Sequence, residues 1–387
     1  MAVSQFKHVK ISGISVVVPE KEINIYDEVQ YYNNSIKKID RMRKMVGFWK
    51  RRVADDTTTP ADLAFNAAQN LIKEMNIDKS TIDALVFVVQ QPDVMSPSTA
   101  YFLHDKLGFQ QSCIATDINQ GCAGWVFGLH MVSQMIESGT YKKVLLLNGD
   151  TPSVGIDPSN RNEAPIFGDG GCATLVEYSK DKIDSYYNID TVGSGFEAII
   201  SPFSGVRFRL DWTNNDALTT LSKLTKEKIT MPTGKVVPLM GGYMDGIAVF
   251  DFTINYVPEN IKTVLKYAGL TPEDIPVLCL HQANKQIVQS VGEGAGFAKE
   301  KVPYTAFENY GNNTMCSIPT TIACLDKGIK KDKLCCCGYG NGLIAASTIL
   351  NLEDTYISDV NTFVKPDYVK TRDEYIDYWR KKIKGEI

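Results

Sequence analysis

The sequence lacks the long apolar runs that cross membranes and the residue pairs that hold metals. Its longest apolar stretches, such as Ala84–Val89 and Val144–Leu147, are strand-sized and too short for a bilayer. The opening MAVSQFKHVKISG carries no apolar stretch of signal-peptide length, so a cytoplasmic protein with no membrane span is expected. No C-x-x-C or paired-histidine spacing suggests zinc, and neither metal nor cofactor is expected. No large charge excess is present: a net charge of −4 over 387 residues gives no reason to expect nucleic acid as a partner. That balance still allows a local basic patch for an acidic carrier protein. The nine cysteines are odd in number and lie mostly in apolar, strand-like surroundings. Cys335–Cys337 would alternate faces of a strand and cannot pair internally without strain. Reduced cysteines used as small apolar residues account for about eight of the nine.

The chain is long for one hydrophobic core, so two core units or one large layered domain are expected. Residues 8–18 read as a β-branched strand. Thr59-Pro60 opens a helix whose Ala61, Ala64, Ala68, Leu71, Ile72 and Met75 share one face. Apolar strands at 84–90, 113–118, 143–149 and 172–178 alternate with helices near 99–107 and 122–138, which means an α/β layered fold. Residues 196–240, with Phe208, Trp212, Pro232 and Pro238, lose periodicity and read as an inserted cap. A helix near 243–268 follows, then strand 275–280, helices 284–295 and 316–327, and strands 333–338 and 343–351. The organisation is thus 1–190, a first half; 191–242, an insertion; 243–352, a second half; and 353–387, an extension. In that extension Tyr375, Ile376, Tyr378 and Trp379 could form the face of a docking helix.

Four places could hold chemistry. Cys122, in Asn119-Gln120-Gly121-Cys122-Ala123-Gly124, stands where a buried strand turns into a helix. A thiol at a helix start feels the positive end of the dipole, which favours thiolate. A buried structural cysteine would fit the same pattern. His281 is one of only four histidines and ends an apolar strand, opening the run His-Gln-Ala-Asn284. Asn312, in Gly311-Asn312-Asn313-Thr314, could cap a helix or aim an amide into a site. Gly338-Tyr339-Gly340-Asn341-Gly342 is a hairpin turn or a loop of N–H groups for an oxyanion. A fifth glycine turn, Ile166–Gly171, reads as structural support.

Together, and in this order, these stretches resemble the β-ketoacyl-acyl-carrier-protein synthase III family of the thiolase superfamily. The matching segments are GCAG around Cys122, IFGDGG at 166–171, Met244-x-Gly246-x-x-Val249-Phe250, HQAN at 281–284, GNNTMCSIP at 311–319 and GYGNG at 338–342. The resemblance implies a five-layered αβαβα thiolase-like fold of two similar halves, working as a homodimer. It implies that Cys122 carries a priming acyl group, while His281 and Asn312 bind the malonyl thioester carbonyl and stabilise the enolate formed as CO₂ leaves. The backbone N–H groups of Cys122 and of Gly340-Asn341 would hold the second oxyanion. Asn284 and Gly246 would contact the pantetheine arm of acyl carrier protein or acyl-coenzyme A thioesters.

Some positions depart from the family. Asp40 stands where family members that prime from acyl-coenzyme A often have an adenine-stacking tryptophan, and Met45 where they have an arginine. Gln286 replaces a basic residue, and Ser96 a bulky aromatic. These changes favour a carrier-bound primer and a specialised lipid or polyketide pathway over housekeeping initiation. Two other readings stay open. One is an acyltransferase passing the Cys122 acyl group to a hydroxyl or amine, with His281 as general base. The other is a non-catalytic partner subunit, which would be expected to lose its nucleophile.

Overall fold

The computed structural model describes residues 3–161, 163–208, 216–230 and 236–387. Two mixed sheets dominate. The first has six strands in the order Tyr356–Thr362, Val9–Val18, Gly170–Tyr178, Lys143–Asp150, Ala84–Val89 and Ile114–Asn119. The second has five, in the order Val3–Phe6, Ser185–Thr191, Ile344–Leu350, Leu334–Gly340 and Leu278–Leu280.

Side-chain alternation builds the layers. In Ala84–Val89 every residue is buried, with Val86 and Val88 facing one cluster and Leu85, Phe87 and Val89 another. The inner cluster also takes Cys336 and Ala346 of the second sheet, so both sheets bury one face against the same helices. Those helices are Gly124–Glu137 and Ser317–Ala323, which supply Trp125, Leu129, Ile318 and Ile322. Outside the first sheet lie Pro60–Glu74 and Thr99–Leu107; outside the second lie Gly246–Ala268 and Lys285–Gly294. The result is the expected αβαβα stack. Cys335 and Cys337 face the outer layer while Cys336 faces the inner one, the alternation foreseen for this run.

Local signals set most of these elements. Thr59 and Asp62 form a capping box with Pro60 at the first turn, and Ala61, Ala64, Ala68 and Leu71 are fully buried. The helix Gly246–Ala268 starts behind Asp245, which accepts from the N–H groups of Ile247 and Ala248.

Other elements were not read from the pattern. Ser185–Thr191, rich in polar residues, is an interior strand of the second sheet, between Val3–Phe6 and Ile344–Leu350. Ile36–Val46 and Thr305–Tyr310 are helices. The 196–240 stretch contains the helix Ala217–Lys226 and an antiparallel strand pair, Lys228–Thr230 with Val236–Pro238; Trp212 and Pro232 lie outside the described residues. The extension contributes more than a helix. Its strand Tyr356–Thr362 runs parallel to Val9–Val18, and Tyr368 sets its ring edge-on against Phe65 and Phe102. The expected docking helix, Arg372–Lys384, buries no residue: Tyr375, Ile376 and Trp379 are all exposed.

This division yields a prediction. Deleting residues 371–387 should move the melting temperature by less than about 2 °C, because nothing buried is lost. Deleting 353–387 uncovers Val9–Val18 and should lower it by more than about 5 °C. Thermal melts of the two truncations check this.

Candidate active site

Cys122 sits between the strand Ile114–Asn119 and the helix Gly124–Glu137, and is partly exposed. A tight turn from the Gly124 N–H to the Gly121 carbonyl, 2.7 Å, holds the segment. The helix is anchored just beyond it by Trp125, which is fully buried and donates its indole N–H to Thr174 Oγ1 at 3.0 Å. The hairpin of the second sheet closes over the cysteine. A Cβ on Gly338 would lie 2.6 Å from Ala123 Cα, and one on Gly340 would lie 3.3 Å from the Cys122 sulfur. Glycine is therefore required for this approach, and Gly340 also has a φ of +144°. The turn is both a hairpin and a cover for the sulfur, so its two sequence readings are compatible.

The backbone N–H dipoles of Asn341 and of Cys122 itself favour the thiolate. Burial nevertheless pushes the thiol up to about 12, and the nearby Asp150 charge adds to this. The thiolate-favouring helix start is outweighed, because removing a thiolate from water costs more than a helix terminus returns. At neutral pH the thiol form is favoured.

His281 follows the strand Leu278–Leu280, with its backbone N–H bonded to the Cys337 carbonyl at 2.9 Å. Its ring meets Tyr339 edge-on at 5.4 Å, and the Tyr339 hydroxyl donates to its carbonyl. Burial lowers its pKa to about 4, so the ring is neutral at pH 7. Its Nδ1 lies 3.2 Å from the Thr314 carbonyl, which can only accept. The proton is thereby assigned to Nδ1, leaving a lone pair on Nε2.

Asn312 is buried in a short bridge with Phe167. Its Oδ1 accepts from the Thr314 N–H at 3.0 Å, which orients the amide and leaves Nδ2 as the free donor. At rest, His281 and Asn312 thus offer one acceptor and one donor, whereas the sequence suggested two donors.

Thr314 joins these groups. Beyond its two backbone bonds, its hydroxyl donates to Asp150 Oδ2 at 2.7 Å. Its φ is +50°, a left-handed conformation that costs a non-glycine residue roughly 1–3 kcal/mol. Asp150 ends the strand Lys143–Asp150, is completely buried, and has its pKa raised to about 7 by burial, with Asp169 adding to the rise. Neither residue was singled out from sequence. A carboxylate closing an apolar strand was a usable signal for Asp150; nothing in the residue pattern marks the backbone of Thr314.

Asn284 and Gly246 stand differently. Asn284 is the N-cap of Lys285–Gly294, its Oδ1 taken by the Ile287 N–H, so only its NH₂ is left to donate. Gly246 is exposed, and a Cβ there would meet nothing within 4 Å; no recorded contact joins it to the other residues. Asp40 and Lys285 share a cavity of about 280 Å³ with Tyr26, Arg43, Lys44 and Tyr304. There the Asp40 carboxylate accepts from the Tyr26 hydroxyl at 2.6 Å.

Comparison with known proteins fits this layout. The family model for 3-oxoacyl-[acyl-carrier-protein (ACP)] synthase III matches residues 116–192, and that for its C-terminal part matches 265–352. A Campylobacter jejuni protein bearing the 3-oxoacyl-[acyl-carrier-protein] synthase 3 name is 36% identical over 364 residues, covering 94% of this chain and 99% of that one. The chain belongs to the 3-oxoacyl-[acyl-carrier-protein] synthase III family. A β-ketoacyl-[acyl-carrier-protein] synthase III of Natranaerobius thermophilus is 30% identical over 311 residues, covering 79% of this chain and 88% of that protein. The crystal structure of a 3-oxoacyl-(acyl-carrier protein) synthase from Burkholderia xenovorans superposes with a TM-score of 0.81 at 30% identity, over 93% of this chain and 98% of that one. In this synthase III fold, two sheets bring loops from both halves onto one cysteine. No helix of the described residues is long and apolar enough to cross a membrane.

The glycine turn at 166–171 braces the site. Gly168 donates its N–H to the Asn312 carbonyl, and a Cβ on it would fall 1.9 Å from the Tyr310 carbonyl oxygen. Gly168→Ala should therefore destabilise the protein by more than about 4 kcal/mol, since backbone on both sides must move. Urea unfolding checks this; a loss below about 1 kcal/mol would mean the turn is looser than its contacts imply.

Proposed function

We propose that Cys122 takes an acyl group from a thioester and condenses it with a malonyl unit on acyl carrier protein, releasing CO₂ and a 3-oxoacyl thioester. The observation that carries this reading is the close approach of the Gly338–Gly340 backbone to Cys122, 3.3 Å from a Cβ on Gly340 to the sulfur, which sets the backbone of the following Asn341 beside the cysteine. The N–H groups of Cys122 and Asn341 then suit the oxyanion of a tetrahedral intermediate formed at that sulfur.

In loading, His281 Nε2 takes the Cys122 proton as sulfur attacks the thioester and returns it to the departing thiol. In condensation, the malonyl carbonyl oxygen lies against Asn312 Nδ2, which stabilises the enolate as CO₂ leaves. His281, protonated on Nε2 beside the incoming carboxylate, donates the second bond and then returns that proton to the Cys122 sulfur. The proton balance closes, because decarboxylative condensation consumes one proton. The acceptor of an alcohol- or amine-directed acyltransferase is not favoured by this family membership.

The cavity with Arg43, Lys44 and Lys285 suits the phosphate of a carrier arm, and the Asn284 amide is free to bond that arm. Asp40, engaged by Tyr26, offers no surface for stacking adenine, which supports a carrier-bound primer. The protein works in the cytoplasm as a homodimer. Its second copy covers the open edge strand Ile114–Asn119, with the exposed Met95, Tyr101 and Ile114 around it.

Two measurements test this. Release of CO₂ from malonyl-carrier protein should depend on the primer, vanish in Cys122→Ala, and fall about 10²–10³-fold in His281→Ala and Asn312→Ala. Release unaffected by Cys122→Ala would end the reading. Sedimentation should give twice the chain mass, and Ala115→Pro, which blocks pairing on the edge strand, should give monomer. A dimer that survives Ala115→Pro would move the interface elsewhere.

A further inference from the structure

We propose that Thr314 and Asp150 are a positioning pair: Asp150 anchors the Thr314 hydroxyl, and the Thr314 backbone then sets the histidine and the asparagine of the site. This rests on the roles given above to Cys122, His281 and Asn312. Three of the buried bonds of Thr314 reach the site. Its carbonyl accepts from His281 Nδ1 at 3.2 Å, its N–H bonds Asn312 Oδ1 at 3.0 Å, and its hydroxyl bonds Asp150 Oδ2 at 2.7 Å. The first fixes which nitrogen of His281 bears the proton. The second fixes which end of the Asn312 amide is free.

The left-handed φ of +50° allows carbonyl and N–H to serve two different side chains, and threonine does not adopt it unaided. The hydroxyl bond to Asp150 supplies the restraint. Asp150 is itself held from the other side by the Thr151 N–H at 3.0 Å on Oδ1. The groups facing it are Thr314 and Cys316 from the turn, Cys122 from the helix start, and Asp169 from the neighbouring loop. Its charge acts on the Cys122 sulfur, so one carboxylate is tied to all three site residues. No catalytic step above uses it.

The test compares Thr314→Val, Thr314→Ser and Asp150→Asn by kcat and KM for CO₂ release and by the pH profile of Cys122 alkylation with iodoacetamide. Thr314→Val should lower kcat at least about tenfold with KM within about twofold, because placement and not binding is lost. Thr314→Ser should recover kcat to within about threefold. Asp150→Asn should lower kcat similarly and move the alkylation profile to lower pH. Equal loss in Thr314→Ser and Thr314→Val, full kcat in Thr314→Val, or an unmoved alkylation profile in Asp150→Asn would each overturn the proposal. If Thr314→Val does not fold, Thr314→Ser and Asp150→Asn decide the matter. Should the wild type release no CO₂, the functional reading fails, while the alkylation profile still decides whether Asp150 governs Cys122.

Discussion

Everything in the site depends on clamping one helix between two sheets. Gly124–Glu137 buries Trp125, Val126, Leu129, Val132 and Ile136 completely, against strands from both halves. A helix gripped by both sheets cannot shift without opening close-packed contacts on each of them. Its first turn is consequently fixed, and the cysteine preceding it becomes a fixed point to which other loops are fitted. The fitting is tight: Gly338 and Gly340 of the second sheet approach with no room for a side chain. The two halves also exchange strands. Val3–Phe6 and Ser185–Thr191 belong to the second sheet, and Tyr356–Thr362 returns to the first. Separation of the halves would break both sheets.

Within this frame the electrostatics are those of a dry site. Burial raises the thiol of Cys122, raises the carboxyl of Asp150 and lowers the imidazole of His281, in each case favouring the neutral form. In the proposed reaction, charge that appears only during reaction is met by oriented dipoles, the N–H groups of Cys122 and Asn341 and the amide of Asn312, together with His281 once it is protonated. Such groups act strongly where water is excluded and need no rearrangement at the moment of reaction. The neutral thiol and imidazole also remove the cost of burying those two charges before substrate arrives.

Much of the layered fold was legible in the sequence because its inner strands are buried on both faces. Ala84–Val89 and Val144–Leu147 are continuous apolar runs, and the capped helix at Pro60 announces itself by its first residues. Ser185–Thr191 escaped because polar Ser185 and Asn188 hold buried positions and break the alternation, and Tyr356–Thr362 because a charged tail hides a strand stabilised by its neighbour Val9–Val18. The cysteine, histidine and asparagine were recognisable as side chains. The Thr314 hub was not, since its role lies in its backbone carbonyl and N–H and in a positive φ, which residue identity does not encode.

The central claim, that Cys122 carries the acyl group between two thioesters, is tested most directly by intact-protein and peptide mass spectrometry. The protein is incubated first with an acyl-carrier thioester and then with malonyl-carrier protein. The account predicts one acyl mass on the peptide containing Cys122, cleared by the malonyl carrier with appearance of the matching 3-oxoacyl carrier. An acyl mass on any other residue, or one that malonyl-carrier protein leaves in place while a hydroxyl or amine removes it, would contradict it.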